Sequence, residues 1–254
     1  MTFFTRDKLE PTYNKVNNRQ NGKGSTMETK FIRSIPLLAS LPNTLIEPLC
    51  EKVRHVTYRK GSYIFQEHEQ AKAVYFIASG MVKIVLTTDQ GKEYVMGIKQ
   101  TGSVIGETSI FSDTPSTYLG SAQTLTDTEV YFLLISDLED MITIHPHVSI
   151  ELIRMMGSQI RSQSTILRDT ALLDIYNKTL KTIERLAQEF SWKTTNNEFV
   201  EVPLSIQEVA NIVGATRESI SRVMSKLQKQ GLVTIERKGS FIVHNRAKYQ
   251  KNLA

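Results

Sequence analysis

Charged and polar side chains near residue 217 have the chemistry needed to read the edges of DNA bases. The sequence predicts a helix over Arg217–Gln230. At about 100° per residue, Arg217, Glu218 and Arg222 lie on one side of it with Ser221, opposite an apolar side. Arginine can donate two hydrogen bonds to guanine O6 and N7, and glutamate can accept one from cytosine N4. We therefore predict base recognition from the start of this helix, against the alternative of an ordinary solvated face.

Other polar groups near this helix are suited to hold the DNA backbone. Thr216 is predicted to cap the helix, and phosphates are typical ligands of such helix starts. Lys226 and Lys238 add positive charge for the same purpose. Ser205, the first residue of the preceding helical motif, completes the predicted DNA-binding set.

The elements that must position these residues form a winged helix-turn-helix. Ser205-Ile206-Gln207-Glu208 has the spacing of a capping box and opens a short helix that ends at Gly214. Thr216 then caps the second helix, and Gly231 ends it. Two helices joined by a short turn containing glycine are typical of a helix-turn-helix. Residues 232–243 predict a small hairpin, which is the wing.

The charge distribution agrees with a polyanionic partner at this end of the chain. Residues 214–254 carry nine lysines or arginines and two acidic residues, whereas the whole chain has a net charge of only +5. A basic end on an otherwise acidic body favours nucleic acid as the partner. Charge alone would fit a solvated basic tail equally well.

The preceding part of the chain predicts an antiparallel β-roll of the jelly-roll kind. Short β-rich runs recur from residue 57 to residue 135, separated by turns such as Lys60-Gly61 and Ser79-Gly80. The interior of such a roll is a natural small-molecule pocket. The runs are Tyr63–Phe65, Val74–Ala78, Val82–Thr87, Tyr94–Ile98, Gly120–Gln123 and Glu129–Ile135.

A long helix beginning at Pro146 carries apolar residues at the 3-4-3-4 spacing of a coiled-coil seam. The seam predicts a homodimer, and the alternative is a helix packed on its own sheet. Its apolar members are Ile153, Met156, Ile160 and Leu167, with Gln163 between the last two. The predicted fold class is α+β, with a flexible arm (1–26), a β-roll sensor domain (27–145), a dimerisation helix (146–170) and a DNA-binding domain (171–254).

Composition argues against several other classes of protein. The single cysteine, Cys50, excludes an internal disulfide framework, a Cys-rich zinc site and the usual Cys-ligated iron–sulfur cluster. We predict no metal and no cofactor. The longest apolar runs have six residues, too few to cross a membrane, and residues 1–9 lack a signal peptide, so we expect a cytoplasmic location. A cupin-like enzyme and a ligand-binding regulatory protein without DNA affinity are the alternative functions.

Residues 31–245 resemble the CRP/FNR family of bacterial transcription regulators. The specific match lies in Leu204–Ala210 and Gly214–Arg222, and a looser match lies in Val74–Ile77 and Gly102–Glu107 of the predicted roll. The resemblance implies a fold with a cyclic-nucleotide-binding-like sensor domain. It also implies a homodimer joined through the long helix and a palindromic double-stranded DNA operator.

The resemblance also assigns roles to individual residues. Arg217, Glu218 and Arg222 would read the bases, and their pattern is that of the cyclic AMP receptor type, which implies TGTGA-like half-sites. If the protein activates transcription, RNA polymerase is a further partner. The choice between activation and repression and the target genes stay open.

The sensor departs from the family pattern. Members that bind cyclic AMP have Gly-Glu early in a phosphate cassette and then an arginine followed by Ser or Thr. Here Gly106-Glu107 is present, but Ser116-Thr117 occupies the later position, and residues 61–153 contain no arginine. Because a buried cyclic phosphate needs a fixed cation, we predict that cyclic AMP is not the effector. A lysine, or Arg154 or Arg161 of the long helix, is the alternative cation, and the effector stays unknown.

Overall fold

The computed structural model of the chain describes residues 26–35, 38, 41–110, 116–190, 199–236 and 239–244. These residues divide between two compact units, one within residues 1–82 and 99–152 and the other within residues 83–98 and 153–254. The predicted domain boundaries stay predictions. Most of the predicted arm lies outside the described residues.

Two four-stranded sheets form the β-roll, in the strand orders β1-β8-β3-β6 and β2-β7-β4-β5. The pairs β1–β8, β3–β8, β3–β6 and β2–β7 are antiparallel. The strands are β1 (Arg54–Tyr58), β2 (Tyr63–Phe65), β3 (Ala73–Ser79), β4 (Met81–Thr87), β5 (Glu93–Gln100), β6 (Val104–Ile105), β7 (Ser121–Thr124) and β8 (Thr128–Leu134). Together with the helices around them, these sheets confirm the predicted α+β fold class.

The roll is held together by apolar side chains on its central strands. Val74, Phe76 and Ile77 of β3 are buried, as are Val130 and Leu133 of the neighbouring β8. A strand with both faces buried has a nearly continuous apolar sequence, which is why β3 is visible in the sequence. The helices of this part are α1 (Thr26–Ser34), α2 (Asn43–Lys52) and α3 (Ile135–Ile144).

The long helix α4 covers His147–Leu172 and is followed by α5 (Ile175–Phe190). Two residues that are not helical separate α4 from α5. Asp174 then caps α5, since its Oδ1 accepts a hydrogen bond from the backbone N–H of Asn177 at 2.8 Å. The sequence prediction that the long helix ends or bends between residues 169 and 174 agrees with this position.

The C-terminal elements form a small core with three helices and one sheet. The helix-turn-helix consists of α6 (Ile206–Val213) and α7 (Arg217–Lys229), and the sheet has the order β10-β11-β9. Its strands are β9 (Phe199–Val202), β10 (Val233–Ile235) and β11 (Phe241–His244). Buried side chains from all of these elements fill the interior, including Leu180, Ile183, Phe190, Val202, Val209, Ile220, Leu227 and Phe241.

Candidate nucleic-acid interface and effector site

The start of α6 is fixed by a complete capping box at Ser205. The Oγ atom of Ser205 accepts a hydrogen bond from the backbone N–H of Glu208 at 3.2 Å. Glu208 Oε2 accepts in return from the Ser205 backbone N–H at 2.7 Å and from its hydroxyl at 2.8 Å. The box satisfies backbone donors that a helix start leaves without partners, as the sequence spacing predicted.

The turn between the two helices depends on a residue with a positive φ angle. Gly214 ends α6 with φ of 73° and ψ of 34°, in the left-handed region that favours glycine. The backbone N–H of Ala215 donates to Ala210 O at 3.0 Å and closes the turn. Thr216 caps α7, because its Oγ1 accepts from the backbone N–H of Ser219 at 3.3 Å.

One side of α7 is buried and the other is exposed. Ile220, Val223, Met224 and Leu227 are buried. Thr216, Arg217, Glu218 and Arg222 are exposed, and Ser221 is half-buried. The first turns of α7 thus present two guanidinium groups, a carboxylate and a hydroxyl on the surface, and such groups at a helix start can reach base edges in a major groove.

Of the two lysines that the sequence predicts to bind phosphate, the structure describes one. Lys226 is exposed, and its Nζ lies 4.2 Å from the centroid of the Tyr176 ring of α5. Lys238 lies outside the described residues. The described ends of that turn come together, since the Glu236 backbone N–H donates to Ser240 O at 2.9 Å. The predicted hairpin is present as β10 paired with β11, and β9 extends it to three strands.

Part of the predicted effector pocket is brought together in the β-roll. Gly106, with φ of 82°, leads into a short 3₁₀ turn over Glu107–Ser109. Glu107 is buried, with 6% of its surface exposed. Ser109 Oγ donates to Thr117 O at 3.4 Å, which places the later segment beside this turn. Ser116 is half-buried and the Thr117 side chain is exposed.

An aromatic pair that the sequence did not reveal packs against the same turn. The rings of Phe65 and Tyr118 stack with centroids 3.8 Å apart. A Cβ atom at Gly106 would come within 3.1 Å of both Tyr118 Cε1 and Ala73 O, so a side chain here would force these neighbours to shift, and the positive φ angle also favours glycine. The Tyr118 hydroxyl donates to Ala73 O at 2.9 Å and accepts from the Ala73 backbone N–H at 3.3 Å, which fixes the ring.

The lysines of the roll are poorly suited to supply the cation that a buried phosphate would need. Lys83 has 11% of its side chain exposed, and its Nζ contacts Glu93 Oε2 at 3.2 Å. Lys72 and Lys92 are exposed, and Lys99 is half-buried. Lys83 therefore already has a carboxylate partner.

The apolar seam predicted on α4 is uncovered in the single chain. Ile153, Ile160 and Leu167 are 67%, 62% and 70% exposed. Met156 is half-buried. Large aliphatic side chains repeated at this spacing along one helix are unfavourable in water unless another surface covers them.

Two further features bear on the class of protein. Within the described ranges, no three His, Cys, Asp or Glu residues are grouped so that they could hold a metal ion. No described helix has both the length and the apolar character that crossing a membrane requires.

A β-roll followed by a helix-turn-helix with an exposed basic face defines a DNA-binding transcription regulator. Residues 55–145 match the Cyclic nucleotide-binding domain family, and residues 179–250 match the Crp-like helix-turn-helix domain family. With the relatives described next, these matches show that the chain belongs to the CRP/FNR family of transcription regulators.

Relatives with related sequences are bacterial regulators. The chain is 28% identical over 187 residues to the Anaerobic regulatory protein of Bacillus subtilis, covering 74% of this chain and 78% of that protein. It is also 28% identical over 197 residues to the CRP-like cAMP-activated global transcriptional regulator of Mycobacterium tuberculosis, covering 78% of this chain and 87% of that protein.

Solved structures share the fold at lower identity. The c-di-GMP responsive global regulator CLP of Xanthomonas campestris superposes with a TM-score of 0.69 at 22% identity, covering 80% of this chain and 100% of that one. FixK2 from Bradyrhizobium japonicum gives a TM-score of 0.67 at 21% identity, covering 80% and 98%. At this identity the likeness establishes the fold alone.

Proposed function

We propose that this regulator binds a palindromic operator as a homodimer and reads TGTGA-like half-sites through α7. The observation that carries the proposal is the exposure of Arg217, Glu218 and Arg222 together at the start of that helix. Arginine suits guanine and glutamate suits cytosine, and a TGTGA half-site paired with its complement offers both. The residues proposed to contact DNA phosphates beside these base-reading side chains are Thr216, Ser205 and Lys238. The proposed place of action is the cytoplasm.

The uncovered seam of α4 supports the proposed homodimer. A second copy of the same helix presents the same apolar stripe, so a parallel pair covers both stripes at once. The two-fold axis then puts two α7 helices about 34 Å apart, in successive major grooves on one face of the duplex. A palindromic operator is the DNA counterpart of that symmetry.

Binding to a fluorescent TGTGA palindrome and to a scrambled duplex of equal length tests the DNA assignment. We expect the palindrome to bind roughly 10³-fold or more tightly. We also expect affinity for both duplexes to fall steeply with salt, because phosphate contacts release counterions. Equal affinity for the two duplexes would contradict the proposal.

We further propose that cyclic AMP is not the effector. A cyclic phosphate in the β-roll would need a cation there, and Lys83 is paired with Glu93 while the stacked Phe65 and Tyr118 rings lie beside Gly106. The alternative source of that cation stays a lysine from elsewhere, or Arg154 or Arg161 of the long helix, both of which are exposed. Isothermal titration of the full chain with cyclic AMP is expected to give no binding in the micromolar range, and micromolar or tighter binding would overturn this proposal.

A further inference from the structure

One tyrosine near the start of α5 makes two contacts at the C-terminal end of α7, one with Lys226 and one with its C-cap residue Gln230. The hydroxyl of Tyr176 donates a hydrogen bond to Gln230 Oε1 at 2.9 Å. The ammonium group of Lys226 lies 4.2 Å from the centroid of the same ring. Lys226 and Gln230 are four residues apart, so they lie on the same side of the helix and one side chain contacts both.

The side of α7 that Tyr176 holds adjoins the base-reading face. Lys226 follows Arg222 by four residues, which places the two side chains one turn apart along the helix. An ammonium group this close to an aromatic face is within the range of a cation–π interaction. The Lys226 side chain is thus attached to α5 at the edge of the face that carries Arg222.

The position of Tyr176 is itself well fixed. It follows Asp174, whose carboxylate caps the first turn of α5 through the Asn177 backbone N–H. Thr179 and Leu180, on the next turn, are completely buried. The ring therefore extends from a helix turn that is anchored by a cap on one side and by the core on the other.

We propose that Tyr176 is a positioning residue for DNA recognition, and that Lys226 acts through Tyr176 rather than by binding a DNA phosphate. The contact fixes the rotation of α7 relative to α5 and so the direction in which Arg217 and Arg222 point. This inference rests on the proposed function, because it concerns the same helix and the same operator. It changes the role of Lys226 from a backbone contact to a specificity-determining one.

The two roles for Lys226 differ in their salt dependence. If Lys226 binds a phosphate, Lys226→Met lowers affinity for every sequence, and the salt slope falls by about 0.9 for each phosphate that is no longer neutralised. If Lys226 positions α7, the same variant leaves the slope and the affinity for scrambled DNA unchanged. Operator affinity then falls by about twofold to fivefold per half-site, the effect of removing an exposed cation–π interaction.

The test measures fluorescence anisotropy of the full-length protein on the palindrome and on scrambled DNA at several salt concentrations. The variants are Tyr176→Ala, Tyr176→Phe, Lys226→Met, Lys226→Arg and the double variant Tyr176→Ala/Lys226→Met. We expect Lys226→Met to have no additional effect in the Tyr176→Ala background, because the two residues act as one unit. Lys226→Arg and Tyr176→Phe should retain most of the operator preference, since both keep a cation over a ring.

Additive effects of Tyr176→Ala and Lys226→Met, or a reduced salt slope in Lys226→Met, would overturn the inference. If Tyr176→Ala does not fold, the exposed substitution Lys226→Met and its salt slope still decide between the two roles. A wild-type protein that prefers the palindrome, with variants that affect both duplexes equally, overturns this inference alone. A wild-type protein without that preference removes the proposed function and the inference together.

Discussion

Arg217 is exposed at the first turn of α7. We predict that Arg217→Ala weakens operator binding by about 1–3 kcal/mol per half-site, because it removes a bidentate contact to guanine. Base preference at the contacted position should relax as well. Titration of the variant against operators with each half-site base changed in turn measures both effects.

Arg59→Ala is the matched control, since it removes the same charge from an exposed position in the β-roll domain. It should leave operator preference unchanged. An equal loss on operator and scrambled DNA for Arg217→Ala would instead make that residue a phosphate contact.

Tyr118 contributes to the β-roll through one hydroxyl that both donates to and accepts from the backbone of Ala73. Tyr118→Phe leaves those buried backbone groups without this partner, and we predict a loss of about 1–3 kcal/mol in the free energy of unfolding. Urea denaturation followed by circular dichroism measures the change. Tyr63→Phe alters an exposed tyrosine of the same roll and should have little effect. If the two variants are equally stable, the Tyr118 hydroxyl contributes nothing.

At the scale of single elements, the helix-turn-helix depends on its caps. Ser205→Ala removes the capping box of α6. We expect it to destabilise the protein by about 1 kcal/mol, and Ser205→Thr should recover most of that loss because threonine keeps a hydroxyl that can accept from the Glu208 backbone N–H and donate to the Glu208 carboxylate. Urea denaturation of the three proteins tests the order. A Ser205→Thr protein no more stable than Ser205→Ala would show that the cap is not the cause.

The elements that sequence reasoning located are those specified by neighbouring residues. The capping box at Ser205, the turn at Gly214 and the cap at Thr216 all lie within a few positions of the helices they start or end. Each of the six predicted strands overlaps an observed strand, since the apolar runs lie between turn residues. The exposed polar face of α7 follows from helical periodicity alone.

The elements that sequence reasoning missed are specified by residues that lie far apart along the chain. β1 (Arg54–Tyr58) has a largely exposed, mostly polar sequence and becomes a strand by pairing with β8, whose paired residues lie 70 to 78 positions later. β6 has two residues and β9 follows a polar segment, so neither has a local signal. The Phe65–Tyr118 stack and the Tyr176–Lys226 contact also join residues about 50 positions apart. Tertiary packing decides such contacts, and no periodicity in the sequence reports them.

At the scale of the whole molecule, the proposed dimer through the α4 seam would couple oligomeric state to DNA binding. Ile160→Glu puts a charge in the middle of the proposed interface. We predict that it converts the dimer to a monomer and lowers operator affinity, because one α7 helix loses the contribution of the other. Folding should be retained, since Ile160 is exposed in the single chain. Sedimentation velocity and circular dichroism measure the two outcomes.

Ser162→Glu is the control, because Ser162 is exposed about 200° around the helix from Ile160. It adds the same charge outside the seam and should remain dimeric. An Ile160→Glu protein that also remains dimeric would place the subunit interface on another surface.

The two residues that connect α4 to α5 form a short linker, and backbone hydrogen bonds lie on both sides of it. The Leu173 backbone N–H donates to Asp169 O at 3.1 Å, and that of Lys178 donates to Asp174 O at 2.9 Å. Such a connection has few free backbone torsions. A glycine-rich linker, by contrast, would let each DNA-binding domain change its orientation independently. The affinity of the regulator for its operator should consequently depend on the number of base pairs between the half-sites. One extra pair shifts the second half-site by about 3.4 Å and turns it around the duplex axis, and we expect that lengthened spacer to be rejected.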